Sequence, residues 1–257
     1  MISIVVTTKN EGKNLPLLLD SLMDQCSGHE IVIVDSYSKD NTADVIQHYS
    51  AVLPIAFRRE RSSRGGGRNI GVQLARGDYV LFLDGDVVAS SDLVESYERA
   101  ITSGADVIAG NTIPAGVEKF RLERVKLFVK GFEITSPSAN LCYRKGTFLK
   151  LGGFDESFVT AEDIDLNFRA VSQGYRAETC GNCTVHNSTR SGTGAFLKQA
   201  FWNGYGRYQL RRKHRTEWGL VTKGKPLREN HGVVNLLRLG LGSVGYVYAI
   251  IRRGKYP

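Results

Sequence analysis

The chain has 257 residues, 42% hydrophobic and 23% charged, with a formal net charge of +8 at pH 7. That composition excludes a disordered or low-complexity chain and suits one large domain with a sizeable core, or one domain with a C-terminal extension. The charge is uneven: residues 187–257 hold 14 Lys and Arg against 2 Asp and Glu, a balance of +12 that leaves −4 on residues 1–186, so the tail prefers phosphates, whether on nucleic acid or on anionic lipid.

Residues 1–6 are too short for the apolar core of a secretory leader and read as the start of a first strand, residues 2–7. Residues 14–25 carry Leu15, Leu18, Leu19 and Leu22 at helical spacing, with Pro16 near the start, where proline is tolerated. Residues 30–35 form a second strand ending in Asp35, and residues 40–49 a helix capped by Asp40 or Asn41. A third strand is expected at 54–58, then a helix at 67–75 after a Gly-rich loop. A strand at 79–83, a helix at 91–102 and a short strand at 106–110 follow. This alternation, with strands apolar throughout, predicts an α/β fold: a mostly parallel central sheet with helices on both faces. Ligands of such sheets lie outside the strand carboxyl ends, where Thr7 to Glu11, Asp35 and Asp84 to Asp86 all fall. Beyond Gly110 the pattern loosens. Residues 117–132 are basic and amphipathic, and 138–143 read as a strand returning to the site. Residues 161–172 form a helix with Ile164, Phe168 and Val171 on one face, and 195–212 a helix rich in aromatics and Arg.

The most telling run is Leu81-Phe82-Leu83-Asp84-Gly85-Asp86-Val87. Residues i and i+2 of a strand point the same way, and Gly85 lets the backbone turn between the two acids. Two carboxylates at a strand end suit a hard divalent cation whose remaining ligands are phosphate oxygens. A second acidic cluster, Glu162-Asp163-Ile164-Asp165, opens a predicted helix, where the macrodipole favours carboxylates. Cys180-Gly181-Asn182-Cys183 is a lone CxxC without the second pair that structural zinc needs. It reads as buried thiols or a local disulfide, and a cytosolic location makes reduced thiols the expectation.

In order along the chain stand Val5-Val6-Thr7-Thr8-Lys9-Asn10-Glu11, Val34-Asp35-Ser36, Asp40-Asn41-Thr42, Arg68-Asn69-Ile70-Gly71, Ala75-Arg76-Gly77-Asp78-Tyr79, Leu83-Asp84-Gly85-Asp86, Asn140-Leu141, Gly152-Gly153-Phe154-Asp155 and Glu162-Asp163-Ile164-Asp165-Leu166. This series, over residues 2–190, resembles the family-2 glycosyltransferases with the GT-A fold. The resemblance implies a Rossmann-like sandwich and an inverting transfer of a sugar from a UDP- or GDP-sugar to an acceptor hydroxyl, with Mg²⁺ or Mn²⁺. It implies a glycosyltransferase domain at 1–190, with a nucleotide-binding half at 1–110 and an acceptor half at 111–190. A helical basic and apolar extension fills 191–257.

The resemblance also implies roles. Asp86 would ligate the metal that neutralises the leaving diphosphate, and Asp84 would share it or hold the ribose. Asp35 would accept hydrogen bonds from base or ribose, while Thr7, Lys9 and Glu11 line the nucleoside pocket. Arg64 and Arg68 would set two guanidiniums beside the phosphates, with Gly85 and the glycines of the Gly65-Gly66-Gly67 loop allowing close approach. Asp163 would be the general base on the acceptor hydroxyl, and Glu162 would bond the acceptor or orient its neighbour; the two could exchange roles. His186 would be a third metal ligand and Asn140 would sit beside the acceptor. The plainer readings are a strand-end cap for Asp84, a loop cap for Asp35, a flexible loop for 64–69, helix-terminal charge for 162–165 and a structural His186. The family often has Pro and an aromatic where this chain has Thr7 and Lys9, so the resemblance does not carry the base contacts over to these two positions.

Gln209-Leu210-Arg211-Arg212-Lys213 resembles the QxxRW motif of processive relatives, with Lys213 in place of Trp. Without several membrane spans it reads as a solvated basic helix. Residues 233–251 span 19 residues, near the minimum for a bilayer, but Arg238, Gly240, Gly242 and Gly245 weaken a spanning helix. Packing on a membrane surface, with Arg252, Arg253 and Lys255 on headgroups, accounts for both features; a helix packed on the domain or on a dimer partner is the rival. The expected location is cytoplasmic and peripheral at the membrane, with a lipid-linked saccharide or polyprenyl phosphate, or another glycan, as acceptor. A sugar-phosphate nucleotidyltransferase would need a Gly-rich signature with Arg and Lys after the first strand, which Thr7-Thr8-Lys9-Asn10-Glu11 lacks. A nucleic-acid-binding module would rest on the basic tail alone, and nucleic acid is not the expected partner.

Overall fold

The computed structural model describes residues 1–114, 126–187, 193–223 and 233–252. The strands are β1 (Ile2–Thr8), β2 (Glu30–Asp35), β3 (Ile55–Arg59), β4 (Tyr79–Asp84), β5 (Val87–Ala89), β6 (Val107–Pro114), β7 (Leu127–Val129), β8 (Phe132–Glu133), β9 (Asn140–Arg144), β10 (Ala177–Asn187) and β11 (Thr222–Lys223). The helices are α1 (Leu15–Leu22), α2 (Thr42–Tyr49), α3 (Arg64–Leu74), α4 (Leu93–Ile101), α5 (Lys145–Lys150), α6 (Glu162–Ser172), α7 (Thr193–Lys213) and α8 (Val233–Ile251). Eight strands form one sheet in the order β3-β2-β1-β4-β9-β6-β10-β5, and β11-β7-β8 form a small second sheet. Strands β3, β2, β1 and β4 run parallel; β9 returns antiparallel between β4 and β6, as does β5 against β10.

The apolar strands are continuous because both sheet faces are covered. Ile4 and Val6 of β1, Ile31 and Ile33 of β2 and Leu81 and Leu83 of β4 pack on one face with Leu15, Leu18 and Leu19 of α1 and Tyr97 of α4. Their alternating neighbours Val5, Val32, Val80 and Phe82 pack on the other with Val72 of α3, Phe148 of α5 and Leu166 and Phe168 of α6. Period-two alternation thus fills two cores from one sheet.

The Gly-rich segment is where the fold departs from expectation. The predicted loop at 64–66 is instead the first turn of α3, capped by Ser63, whose Oγ accepts from the Gly66 N–H at 3.0 Å. Its glycines are there for contact. A Cβ on Gly71 would stand 2.4 Å from Val5 Cγ1, and one on Gly67 3.0 Å from Thr7 Cγ2. Glycines one turn apart therefore let α3 lie directly on β1. The short strands β5 and β11 and the helix α5 were not legible in the pattern. Much of the basic stretch at 117–132 lies outside the described residues, and its end forms the β7–β8 hairpin.

Cys180 and Cys183 form a disulfide across an irregularity in β10, not the reduced pair expected, while Cys26 and Cys142 are free and buried. At the C-terminal side, α7 and α8 pack closely on each other. A Cβ on Gly204 would stand 1.8 Å from the Gly242 carbonyl oxygen, and one on Gly245 2.0 Å from that of Phe201. The rings of Phe201 and Tyr205 lie against Tyr248 at 5.6 and 6.2 Å. Among the described residues no helix is long and apolar enough to cross a membrane.

Candidate active site

Register carries the first carboxylates to one edge. Thr7 of β1 stands opposite Asp84 of β4, and Thr8 opposite Asp35 of β2. Asp84 ends β4, and Gly85 is buried beside Glu11; a Cβ there would lie 3.4 Å from Glu11 Cγ. Across the cleft, α6 starts at Glu162, after Ala161 in the left-handed region at φ 67°.

Arg68 joins the two sides. Its guanidinium, 1% exposed, donates to Asp84 Oδ1 at 2.6 Å and to Glu162 Oε1 at 3.0 Å, above the Phe154 ring at 5.5 Å. The next residue, Asn69, fixes the loop before α6: its Oδ1 accepts from the Phe154 N–H at 2.9 Å, and its Nδ2 donates to the Phe154 carbonyl at 2.9 Å and to Glu156 at 3.1 Å. Arg169 of α6 holds the same loop through the Leu151 and Gly153 carbonyls, at 2.6 and 2.7 Å. Asn69 and Arg169 escaped the sequence reading of roles because their work is done on backbone carbonyls, which no residue pattern displays.

The two acids that open α6 are not equivalent. Glu162 is 5% exposed and tied to Arg68. Burial first, and then the charge of Asp163, raise its pKa above the ordinary value, against the pull of Arg68 and Arg64. Asp163 is half-buried, accepting from the Ser138 N–H at 3.2 Å and from the Ile164 N–H at 2.8 Å. Arg64 is exposed at the helix start, and its charge is favoured by Asp84 first and then by Glu162, Asp163 and Asp86. Arg64, Arg68, Asp84, Asp86, Glu162 and Asp163 therefore share one site. Four carboxylates face two guanidiniums, so a diphosphate would meet net negative charge unless a cation came with it. Asp84 and Asp86 suit a hard cation that takes its remaining ligands from phosphate and water.

Several expectations are corrected. Arg68 is 1% exposed and spends both terminal nitrogens on Glu162 and Asp84, so it positions acids and does not reach a donor. Asp35 is 0% exposed and accepts from Thr8 Oγ1 at 3.0 Å, from the Ser38 N–H at 2.9 Å and from the Ser38 hydroxyl, so it organises the loop and does not present itself to base or ribose. Asn140 is also 0% exposed, accepting from Tyr97 Oη at 2.7 Å and donating to the Asn111 and Cys183 carbonyls at 3.1 and 2.8 Å. It locks β9 among its neighbours and has no atom for an acceptor. His186 of β10 stands opposite Val88 of β5 and is exposed. Among the described residues no three or more His, Cys, Asp or Glu gather as a metal-holding set. Thr7 is half-buried under α3, Lys9 is exposed beyond β1, and Glu11 accepts from Asn14 Nδ2 at 2.9 Å. The 209–213 segment is solvated on one side only: it ends α7 with Arg211, Arg212 and Lys213 exposed, and Gln209 and Leu210 are buried. Gln209 is 7% exposed, its Oε1 accepting from the Val159 N–H at 3.2 Å and its Nε2 donating to the Ser157 carbonyl at 2.9 Å.

The sheet is mostly parallel, and the acidic end of β4 faces the acidic start of α6. Residues 3–161 match the family model "Glycosyl transferase family 2", and the chain belongs to that family. It is a glycosyltransferase. It is 24% identical over 225 residues to the glycosyltransferase AglE of Haloferax volcanii, covering 81% of this chain and 73% of that protein. It is 29% identical over 189 residues to a PGL/p-HBAD biosynthesis glycosyltransferase of Mycobacterium bovis, covering 67% of this chain and 70% of that one. Among solved structures, S. aureus TarS 1–349 in complex with UDP-GlcNAc superposes with a TM-score of 0.64 at 18% identity, over 99% of this chain and 92% of that one. The mannosyltransferase PcManGT of Pyrobaculum calidifontis, in complex with GDP-Man and Mn²⁺, gives 0.67 at 15% identity, over 97% and 75%. The fold is GT-A-like.

Proposed function

We propose that the chain moves a sugar from a nucleoside-diphosphate sugar to an acceptor hydroxyl with inversion, using a divalent cation, Mg²⁺ or Mn²⁺. The observation that carries the reading is the Arg68 bridge, which fixes the leaving-group acid Asp84 and the α6 acids in one frame. Asp163 is the base: it is the α6 acid open to a ligand, and its backbone hydrogen bonds aim it. Glu162, buried on Arg68, positions the helix and takes no proton from the acceptor. Asp86 with Asp84 would hold the cation, whose chemistry is to neutralise the leaving diphosphate. Arg64 adds an exposed positive charge at the same edge, and Thr7, Lys9 and Glu11 lie along the donor side. Support for a nucleotide donor and a metal comes from TarS, solved with UDP-GlcNAc, and PcManGT, solved with GDP-Man and Mn²⁺.

The acceptor is taken to be lipid-linked, with residues 1–190 as the transferase domain and 191–257 as its membrane-facing extension at the cytoplasmic face. The support is the surface of α8, where Leu237, Val244, Val247 and Ile251 are 52%, 56%, 54% and 73% exposed along one helical stripe. Beside it Arg207, Arg211 and Arg212 of α7 and Arg252 are exposed; Arg253 and Lys255 lie outside the described residues. Apolar stripe plus basic flank is the pattern of a helix lying on an anionic bilayer.

The test is a panel of UDP- and GDP-sugars scored for thermal stabilisation with Mn²⁺ or Mg²⁺, then for transfer. Asp163→Asn is expected to keep donor stabilisation and to lose transfer by roughly 10²–10⁴-fold, the usual worth of a general base. Near-normal turnover in that variant removes Asp163 as base. A panel in which no nucleotide sugar stabilises the wild type removes the donor reading.

A further inference from the structure

The chemistry around Asp84 and Asp163 leaves the loop after β2 unused. Tyr37, two residues past β2, has φ 52°. That left-handed backbone is a steric strain for a tyrosine, kept only where the surroundings over-determine it. Here they do. Beneath it Asp35 accepts from the Ser38 N–H at 2.9 Å, Arg59 Nη2 donates to the Ser38 carbonyl at 2.9 Å, and the Asn10 N–H donates to Ser38 Oγ at 2.8 Å. The Lys39 N–H donates to Asn10 Oδ1 at 2.8 Å. All this order presents a ring that does not pack into the core: Tyr37 is 48% exposed. The guanidiniums of Arg59 and Arg61 stand 5.1 and 5.5 Å from its centroid.

The location gives the ring a use. Asp35 ends β2, which is separated from β4 by β1 alone. Two strand spacings put the Tyr37 turn about 10 Å from the Asp84 end of β4, on the order of the reach from a diphosphate to its base. A base there cannot be read by Asp35, which is buried. An exposed aromatic flanked by guanidiniums instead offers stacking and cation–π contact, which accept any base because every base has a π face.

We propose that Tyr37, flanked by Arg59 and Arg61, is the platform on which the donor's nucleobase stacks; the assignment rests on the nucleotide-sugar reading above. It supplies affinity for the nucleoside end without hydrogen-bond selection by Asp35.

The experiment is calorimetric titration of UDP and of GDP, each with Mn²⁺, into wild type, Tyr37→Phe, Tyr37→Gly and Asp86→Ala. Glycine accepts φ 52° freely, so Tyr37→Gly removes the ring and keeps the turn, which an unchanged or raised melting temperature verifies. Tyr37→Phe is expected to bind within about twofold of wild type, and Tyr37→Gly to lose roughly 5- to 150-fold in affinity, the range for loss of one base–aromatic stack. If Tyr37→Gly binds like wild type while Asp86→Ala loses affinity, the platform is wrong and the donor reading stands. If wild type binds neither nucleotide, both fall.

Discussion

Replacing Arg68 by Met tests the bridge on which the site is built. Arg68 is 1% exposed, and its partners Glu162 and Asp84 are 7% and 27% exposed. Removing one member of a buried ion pair leaves the other charge in a poor solvent and costs about 3–5 kcal/mol. Asp84 recovers some hydration, so the lower end, about 3 kcal/mol, applies. For a chain of this size that is a fall in Tm of about 6–12 °C. The loss should depend on pH. Glu162 already has a pKa above the ordinary value near 4.5, and Arg68 is one of the groups holding it down, so deleting Arg68 raises it further. A carboxyl whose folded pKa exceeds its unfolded value binds protons on folding; it favours folding at low pH, and that contribution is lost as pH rises through the folded value. The penalty of Arg68→Met is therefore largest at pH 8 and shrinks toward pH 5. Adding Glu162→Gln leaves no unpaired charge on α6 and should restore more than half of the loss. Thermal unfolding of the wild type, both single variants and the double variant at pH 5 and pH 8 completes the cycle. An Arg68→Met variant within 2 °C of wild type at pH 8, or strictly additive losses, refutes the bridge.

Two further outcomes test the proposed donor contact and the proposed membrane contact separately. Asp86→Ala should weaken UDP or GDP binding in the presence of Mn²⁺ by at least tenfold and leave metal-free binding unchanged; equal calorimetric affinity with metal present would mean that Asp86 is not a ligand. Val244→Glu with Val247→Glu, on the exposed stripe of α8, should abolish flotation with vesicles rich in anionic lipid and leave the melting temperature within a few degrees; undiminished flotation rules out that face as the docking surface.

Legibility followed the physics of each element. The strands β1, β2 and β4 could be read because burial on both faces writes an unbroken apolar run, and the acids that close β2 and β4 mark where those two strands stop. Residue type could not say which of those acids faces a ligand. Asp35 and Asn140 carry the polar groups that a binding residue would carry, yet both are 0% exposed and bonded within the protein. The Gly-rich stretch misled for a similar reason, since glycine serves close packing of α3 on β1 as well as it serves a loop. What could not be read at all was work done on backbone: the Ser138 N–H on Asp163, and Asn69 and Arg169 on the loop before α6.

The C-terminal helices are not an appendage to this site. Gly206 of α7 lies so close to the turn before α6 that a Cβ there would stand 2.8 Å from Thr160 Cγ2 and 3.1 Å from Ala161 Cβ, and Ala161 is the residue held at φ 67°. One turn later Gln209 holds Ser157 and Val159. At the end of α7, Lys213 Nζ reaches Asp155 at 2.6 Å and Asp165 at 2.9 Å, and His214 Nε2 reaches Asp165 at 2.7 Å. Burial works to raise the Asp165 pKa, but the His214 hydrogen bond, Arg169 and Lys213 together hold it below the ordinary value. Asp165 stays ionised as the anchor of α6, two residues from Asp163. The helix that packs on α8 on one side thus clamps the turn before α6 on the other. If α8 lies on a bilayer, the acceptor side of the cleft is fixed relative to that surface through α7, so a lipid-linked hydroxyl and its base would be brought into register by the same rigid piece.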